Sequence, residues 1–209
     1  MQEGNRVIAT GKPLDVAKKV MIMLHGRGAS AESILSLKGY LNHADFAFVG
    51  PEASNNTWYP YSFMAPIVQN EPNLSAALKV LSDLIEQLKM EHGFAQKDIY
   101  LLGFSQGACL ALEFVARNPG HFGGVFGLSG GLIGPEGTTW PEHGSLEGTP
   151  VFLGCSDADL HIPKERVVET AAVLEKLNAK VTMKLYSDFG HSINDDEIDR
   201  INDILAADH

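Results

Sequence analysis

A serine set between glycines, in Gly103-Phe104-Ser105-Gln106-Gly107, follows the apolar run 99–103 and leads into the helical pattern 107–118. A hydroxyl at its ordinary acidity attacks a carbonyl only beside a base, and the base needs a carboxylate to orient it. The G-x-S-x-G spacing between a strand and a helix meets the geometric half of that need. The sharp turn strains the serine backbone, and the flanking glycines let neighbouring backbone approach closely. The hydroxyl then stands above the sheet at a helix N-terminus, where developing negative charge is favoured. The chemistry this implies is acyl transfer through Ser105.

On such a scaffold the partners follow in the order Ser, Asp or Glu, His. The histidines after Ser105 are His121, His143, His161, His191 and His209. His191, in Asp188-Phe189-Gly190-His191-Ser192, falls between the last strand pattern and the last helical one, where an imidazole can reach back over the sheet. It is the expected base, and activity should fall once that imidazole is protonated. His121 after Asn118-Pro119-Gly120, His143 in a polar loop and the terminal His209 read as solvated. The carboxylate belongs in the loop after the apolar run 151–154, which offers both Asp157 and Asp159, and spacing does not separate them. His161, two residues further, reads as a structural or solvated loop residue.

An oxyanion needs two backbone N–H donors. One is expected from Gln106, the residue after the nucleophile. The other is expected from Arg27, in the glycine turn His25-Gly26-Arg27-Gly28 that follows the apolar run 20–24. His25 reads as a scaffold hydrogen-bonder.

Elements capable of holding these groups recur along the chain. Strand-length apolar runs occur at 20–24, 46–49, 99–103, 125–128, 151–154 and 182–186, and 6–10 adds an outer strand. The central runs lack polar alternation, as parallel strands covered on both faces should. Helical patterns fill 31–42, 74–92, 107–118, 164–178 and 195–207. Strands alternating with helices predict a mostly parallel, doubly wound α/β sheet with helices on both faces. Two loop-rich stretches, 51–73 and 130–148, are the longest interruptions, and no linker divides residues 1–209, so one domain is expected.

Composition removes several classes. The 209 residues hold 16 Lys and Arg against 26 Asp and Glu, a net charge of −10, with no basic run. Such a chain repels phosphate polyanions, which argues against nucleic acid and anionic membranes as partners. Cys109 and Cys155 both sit in apolar runs and read as buried thiols, too few for a disulfide framework or a cysteine zinc site. The histidines show no H-x-H or H-E-x-x-H spacing, so no metal is expected. The first residues have no apolar signal core, and the run 20–24 is far too short to span a bilayer, so a cytoplasmic protein without stable membrane insertion is expected.

His25-Gly26-Arg27-Gly28, Gly103-Phe104-Ser105-Gln106-Gly107, Asp159-Leu160-His161-Ile162-Pro163 and Gly190-His191-Ser192 together resemble the phospholipase/carboxylesterase family of α/β-hydrolases, which includes acyl-protein thioesterases. The resemblance runs from about residue 20 to the last helix. It implies an α/β-hydrolase fold and a cofactor-free serine hydrolase acting on small carboxylic esters or thioesters. Ser105 matches the nucleophile, His191 the base, and Arg27 and Gln106 the oxyanion positions. The family's acid stands four residues before a proline, as Asp159 does before Pro163, whereas Asp157 stands six before it. The stretch 58–64 looks like the substrate-side loop, with Trp58, Tyr59, Phe63 and Met64 as candidate lining of an apolar acyl pocket. A non-catalytic ligand-binding relative should lack a triad member, and none is missing. Transfer of the acyl group to an alcohol or amine in place of water is not distinguished by these residues, and neither is the oligomeric state, a homodimer included.

Overall fold

The computed structural model describes residues 6–42, 44–141 and 143–207. His209 lies outside them. Seven strands form one sheet: β1 (Val7–Gly11), β2 (Lys19–Leu24), β3 (Phe46–Pro51), β4 (Ile99–Phe104), β5 (Gly124–Leu128), β6 (Pro150–Ser156) and β7 (Lys180–Tyr186). Their spatial order is β1-β3-β2-β4-β5-β6-β7. Only β1 runs antiparallel, against β3, and the remaining neighbours are parallel.

The continuous apolar runs form strands because both of their faces are covered. Along β2, Val20, Ile22 and Leu24 join a core shared with α3 (Asn73–His92), α4 (Gln106–Arg117) and α5 (Lys164–Lys176). Met21 and Met23 point to the opposite core, shared with α1 (Ala31–Leu35) and α6 (Asp195–Ala207). Alternate residues of one strand therefore feed two cores, and neither face tolerates polar residues.

The helical pattern at 31–42 is only partly realised. A capping box between Ser30 and Ser33 starts α1, but the chain tightens into a 3-10 turn over Ser36–Tyr40. Ser36 and Gly39 are weak helix formers, and α1 is too short to carry them. The stretch 51–73 contains a 3-10 turn at Ser54–Asn56 and a short helix, α2 (Ile67–Asn70).

This topology matters because the six parallel strands, β2 to β7, end on one edge. Leu24 of β2 pairs with Gly103 of β4, and Phe104 of β4 pairs with Leu128 of β5. The segments leaving β2, β4, β6 and β7 carry Arg27, Ser105, Asp159 and His191 respectively, so residues far apart in sequence meet outside the carboxyl ends of the strands.

Candidate active site

Ser105 sits between β4 and α4 with φ 55° and ψ −119°, a conformation an L-residue holds only when its surroundings enforce it. The enforcement comes from packing. A Cβ on Gly107 would collide with the Leu24 and His25 carbonyls, and one on Gly103 would collide with the Gly107 backbone. The two glycines thus let α4 press against both β4 and the turn after β2. In that turn, a Cβ on Gly26 would come within 3.4 Å of the Ser105 Cβ, which brings the Arg27 segment to the serine.

The Ser105 hydroxyl lies 2.8 Å from Nε2 of His191, and Nδ1 of His191 lies 2.7 Å from Oδ2 of Asp159. An ionised carboxylate can only accept, so Nδ1 carries the proton and Nε2 accepts from the serine. The other oxygen of Asp159 accepts from the His161 and Ile162 amides at 2.8 and 3.1 Å. Burial works against the Asp159 charge, but the bonds from His191 and these two amides outweigh it and hold the carboxyl below its ordinary value. The Cys155 thiol lies 3.8 Å from the same Oδ2. Asp157 takes a different place, accepting from the Asp188 amide at 2.9 Å and tying the β6 end to the His191 loop.

The His191 loop is held by a residue that sequence reasoning passed over. The Ser156 hydroxyl, at the end of β6, accepts from the Phe189 and Gly190 amides at 3.1 and 3.0 Å. A serine at a strand end carries no sequence signal of that task. The His191 ring also packs 5.0 Å from Phe104 and 4.8 Å from His161. His161 thus stands against His191 on the cavity wall, nearer the chemistry than its loop position suggests.

Arg27 and Gln106 bring side chains as well as amides. Neither amide donates to another backbone group among the described residues. The Gln106 carboxamide accepts from the Trp58 amide at 2.9 Å and donates to the Tyr59 carbonyl at 2.8 Å. The Arg27 guanidinium donates to the Pro60 and Tyr61 carbonyls at 2.8 and 2.7 Å. Asn70, fully buried on α2, accepts from the Tyr61 amide and donates to the Ser62 carbonyl. Three side chains therefore pin five consecutive residues. His25 is buried scaffold: its Nε2 accepts from the Ala53 amide and its Nδ1 donates to the Gly26 carbonyl.

These groups enclose a cavity of about 430 Å³ that includes Ser105, Gln106, His191, Arg27, His161 and Ile162 on its wall. Of the aromatic and methionine residues expected there, Tyr59 and Phe63 line it. Trp58 and Met64 do not. Trp58 lies beneath the loop, its indole N–H donating to the His25 carbonyl, and Met64 packs on the core. Pro60, Tyr61 and Ser62 take their places because the pinned loop has no strand or helix period to predict. Cys109 also reaches the cavity, but burial pushes its thiol up to about 12, so it stays protonated and a poor nucleophile.

Among the described residues no cluster of His, Cys, Asp or Glu could hold a metal ion, and no helix is long and apolar enough to cross a membrane.

A mostly parallel sheet with a strained serine between strand and helix, facing an imidazole, defines an α/β-hydrolase. The sequence profile of the phospholipase/carboxylesterase family matches residues 4–209, and the chain belongs to that family. The chain is 28% identical to acyl-protein thioesterase 1 of Kluyveromyces lactis over 96% of its own length and 95% of the relative's. The Saccharomyces cerevisiae acyl-protein thioesterase 1 is also 28% identical, with 94% of each chain covered. The crystal structure of a phospholipase/carboxylesterase from Dyadobacter fermentans superposes with a TM-score of 0.92 at 42% identity, covering 96% of both chains. A Bacillus cereus carboxylesterase, 20% identical, shares the fold with a TM-score of 0.81, over all of this chain and 96% of its own. The protein is a hydrolase of the esterase and thioesterase type.

Proposed function

We propose that Ser105, His191 and Asp159 form a catalytic triad that hydrolyses small carboxylic esters or thioesters through an acyl-enzyme. The observation that carries this reading is the continuous hydrogen-bonded chain from Ser105 through His191 to Asp159. Ser105 Oγ attacks the acyl carbonyl while its proton passes to His191 Nε2. Asp159 holds the imidazole's tautomer and stabilises the imidazolium. The Arg27 and Gln106 amides receive the oxyanion, and one such donor is worth about 3–4 kcal/mol. His191 then protonates the departing alcohol or thiol, and the acyl group remains on Ser105. Water deprotonated by His191 releases the acid and regenerates the serine.

The cavity of about 430 Å³ has room for an acyl group beside the Ser105 hydroxyl. Hydrolysis of p-nitrophenyl esters from acetate to octanoate, by the protein and by Ser105→Ala, tests the reading. The variant is expected to lose roughly 10⁴-fold or more in kcat, and the parent's chain-length optimum sizes the acyl pocket. Equal turnover by both proteins would show that Ser105 is not the nucleophile.

A further inference from the structure

Among the described residues the arginines are neutralised with one exception. Arg6, Arg117, Arg166 and Arg200 each have a carboxylate oxygen within about 3 Å, on Glu32, Glu113, Glu169 and Asp196. Arg27, the fifth, has no carboxylate partner among the described residues. Its contacts are the Pro60 and Tyr61 carbonyls and the Tyr59 ring, 6.0 Å away. Those carbonyls use two of the guanidinium's five N–H groups and leave its charge intact.

This cation lines the cavity that holds Ser105 and His191, and among the described residues no Asp or Glu shares that wall. Asp159 lies behind His191 with its side chain wholly shielded and its oxygens occupied. The exposed His161 imidazole, on the same wall, meets the His191 ring, and no hydrogen bond ties its ring nitrogens among the described residues. A chain with net charge −10 thus has a reactive cavity furnished with a cation and a second imidazole but no acid.

We propose that the substrate is an ester or thioester that carries a carboxylate, recognised by the Arg27 guanidinium with His161 as a second donor. The assignment rests on the hydrolase reading above and narrows its substrate class. Three N–H groups remain on the guanidinium for a carboxylate, a charge-assisted contact that a neutral substrate cannot make.

The test compares monoethyl succinate with ethyl succinamate, which replaces the carboxylate by an uncharged amide of the same size, with turnover followed by pH-stat. The anionic ester is expected to have at least about a tenfold higher kcat/KM at low salt, the advantage shrinking as salt is added. Arg27→Met should bring the ratio of the two esters to within about twofold of unity, and His161→Val should lower it by about threefold. A guanidinium that merely clamps the loop would slow both esters alike and leave the ratio unchanged. A ratio near one in the parent, or one that survives Arg27→Met, overturns the proposal.

Calorimetric titration of Ser105→Ala with the same two esters separates this from the hydrolase reading. Tighter binding of the anion without turnover by the parent would keep the carboxylate site and sink the serine mechanism. Ser105-dependent turnover without discrimination would sink only the carboxylate site.

Discussion

Residues 58–62 and residues 132–135 both lie outside the carboxyl ends of the strands, and in each a guanidinium gathers loop carbonyls. Arg166 donates to the Leu132 and Gly134 carbonyls at 2.8 Å each and to Pro135 at 3.2 Å. Its side chain is 2% exposed, paired with Glu169, and stacked over Trp140. Glu113, equally buried, completes that loop by accepting from the Ile133 amide and the Trp140 indole. A buried charge is tolerable only when paired and fully hydrogen-bonded, and this one is used up in holding the fold. Arg27 performs the same local task on the Pro60 and Tyr61 carbonyls, yet it is exposed at a cavity and meets no carboxylate among the described residues. One local device is structural when buried and free to meet a ligand when exposed. The two segments meet one residue past the first, where the Gly134 amide donates to the Phe63 carbonyl at 2.7 Å, so the buried loop buttresses the cavity wall.

Changes on the cavity side should leave the fold intact, and changes on the Arg166 side should leave the chemistry intact. The largest effect is expected at Asp159. Asp159→Asn should cut kcat about 10³–10⁴-fold with the unfolding midpoint little moved, because the imidazole loses its tautomer while the loop amides keep an acceptor. Asp157→Asn should stay within about threefold of the parent in the same assay. Comparable losses in both variants would place the orienting carboxylate elsewhere.

Arg166→Met comes next, and its effect falls on stability. Three carbonyls and Glu169 lose their donor, and urea unfolding should show a loss of about 3 kcal/mol. The preference between charged and neutral esters should not change in the surviving fold. A shifted preference without destabilisation would erase the distinction between the two arginines.

The smallest expected effect concerns Glu197, on α6 behind the sheet. Burial pushes its carboxyl up to about 7, the Asn194 amide partly offsets this, and the Asp196 charge adds to it. Between its ordinary 4.5 and about 7 the folded protein keeps a proton that the unfolded chain releases, so stability falls as pH rises through that window. Glu197→Gln should therefore gain stability over the parent at pH 8, on the order of 1–2 kcal/mol, and little at pH 4. Denaturant curves at the two pH values check this, and a larger gain at pH 4 would refute the burial argument.

Much of the framework was legible in the sequence because its demands are local. Runs such as 99–103 admit no polar residue since both faces are covered, and the elbow at Ser105 needs glycines where α4 crosses β2 and β4. The break after Leu35 was less legible, since the apolar spacing continues through the 3-10 turn. The wall of the cavity was legible only in part. Tyr59 and Phe63 reach it while Trp58 and Met64 do not, because side chains of Gln106, Arg27 and Asn70 decide how the loop is turned.

By itself the sequence determined the order of strands and helices, the turn that exposes Ser105, and the loop that carries His191, since each follows from short-range sterics and burial. The tertiary structure was needed to show that Asp159 rather than Asp157 meets the imidazole, that His161 stands against it, and that Arg27 meets no carboxylate among the described residues. Those outcomes depend on contacts between residues 32 and 86 positions apart, as for His191 with Asp159 and with Ser105. Hydrogen bonding and charge act over a few ångströms of space, and no local spacing along the chain encodes that distance.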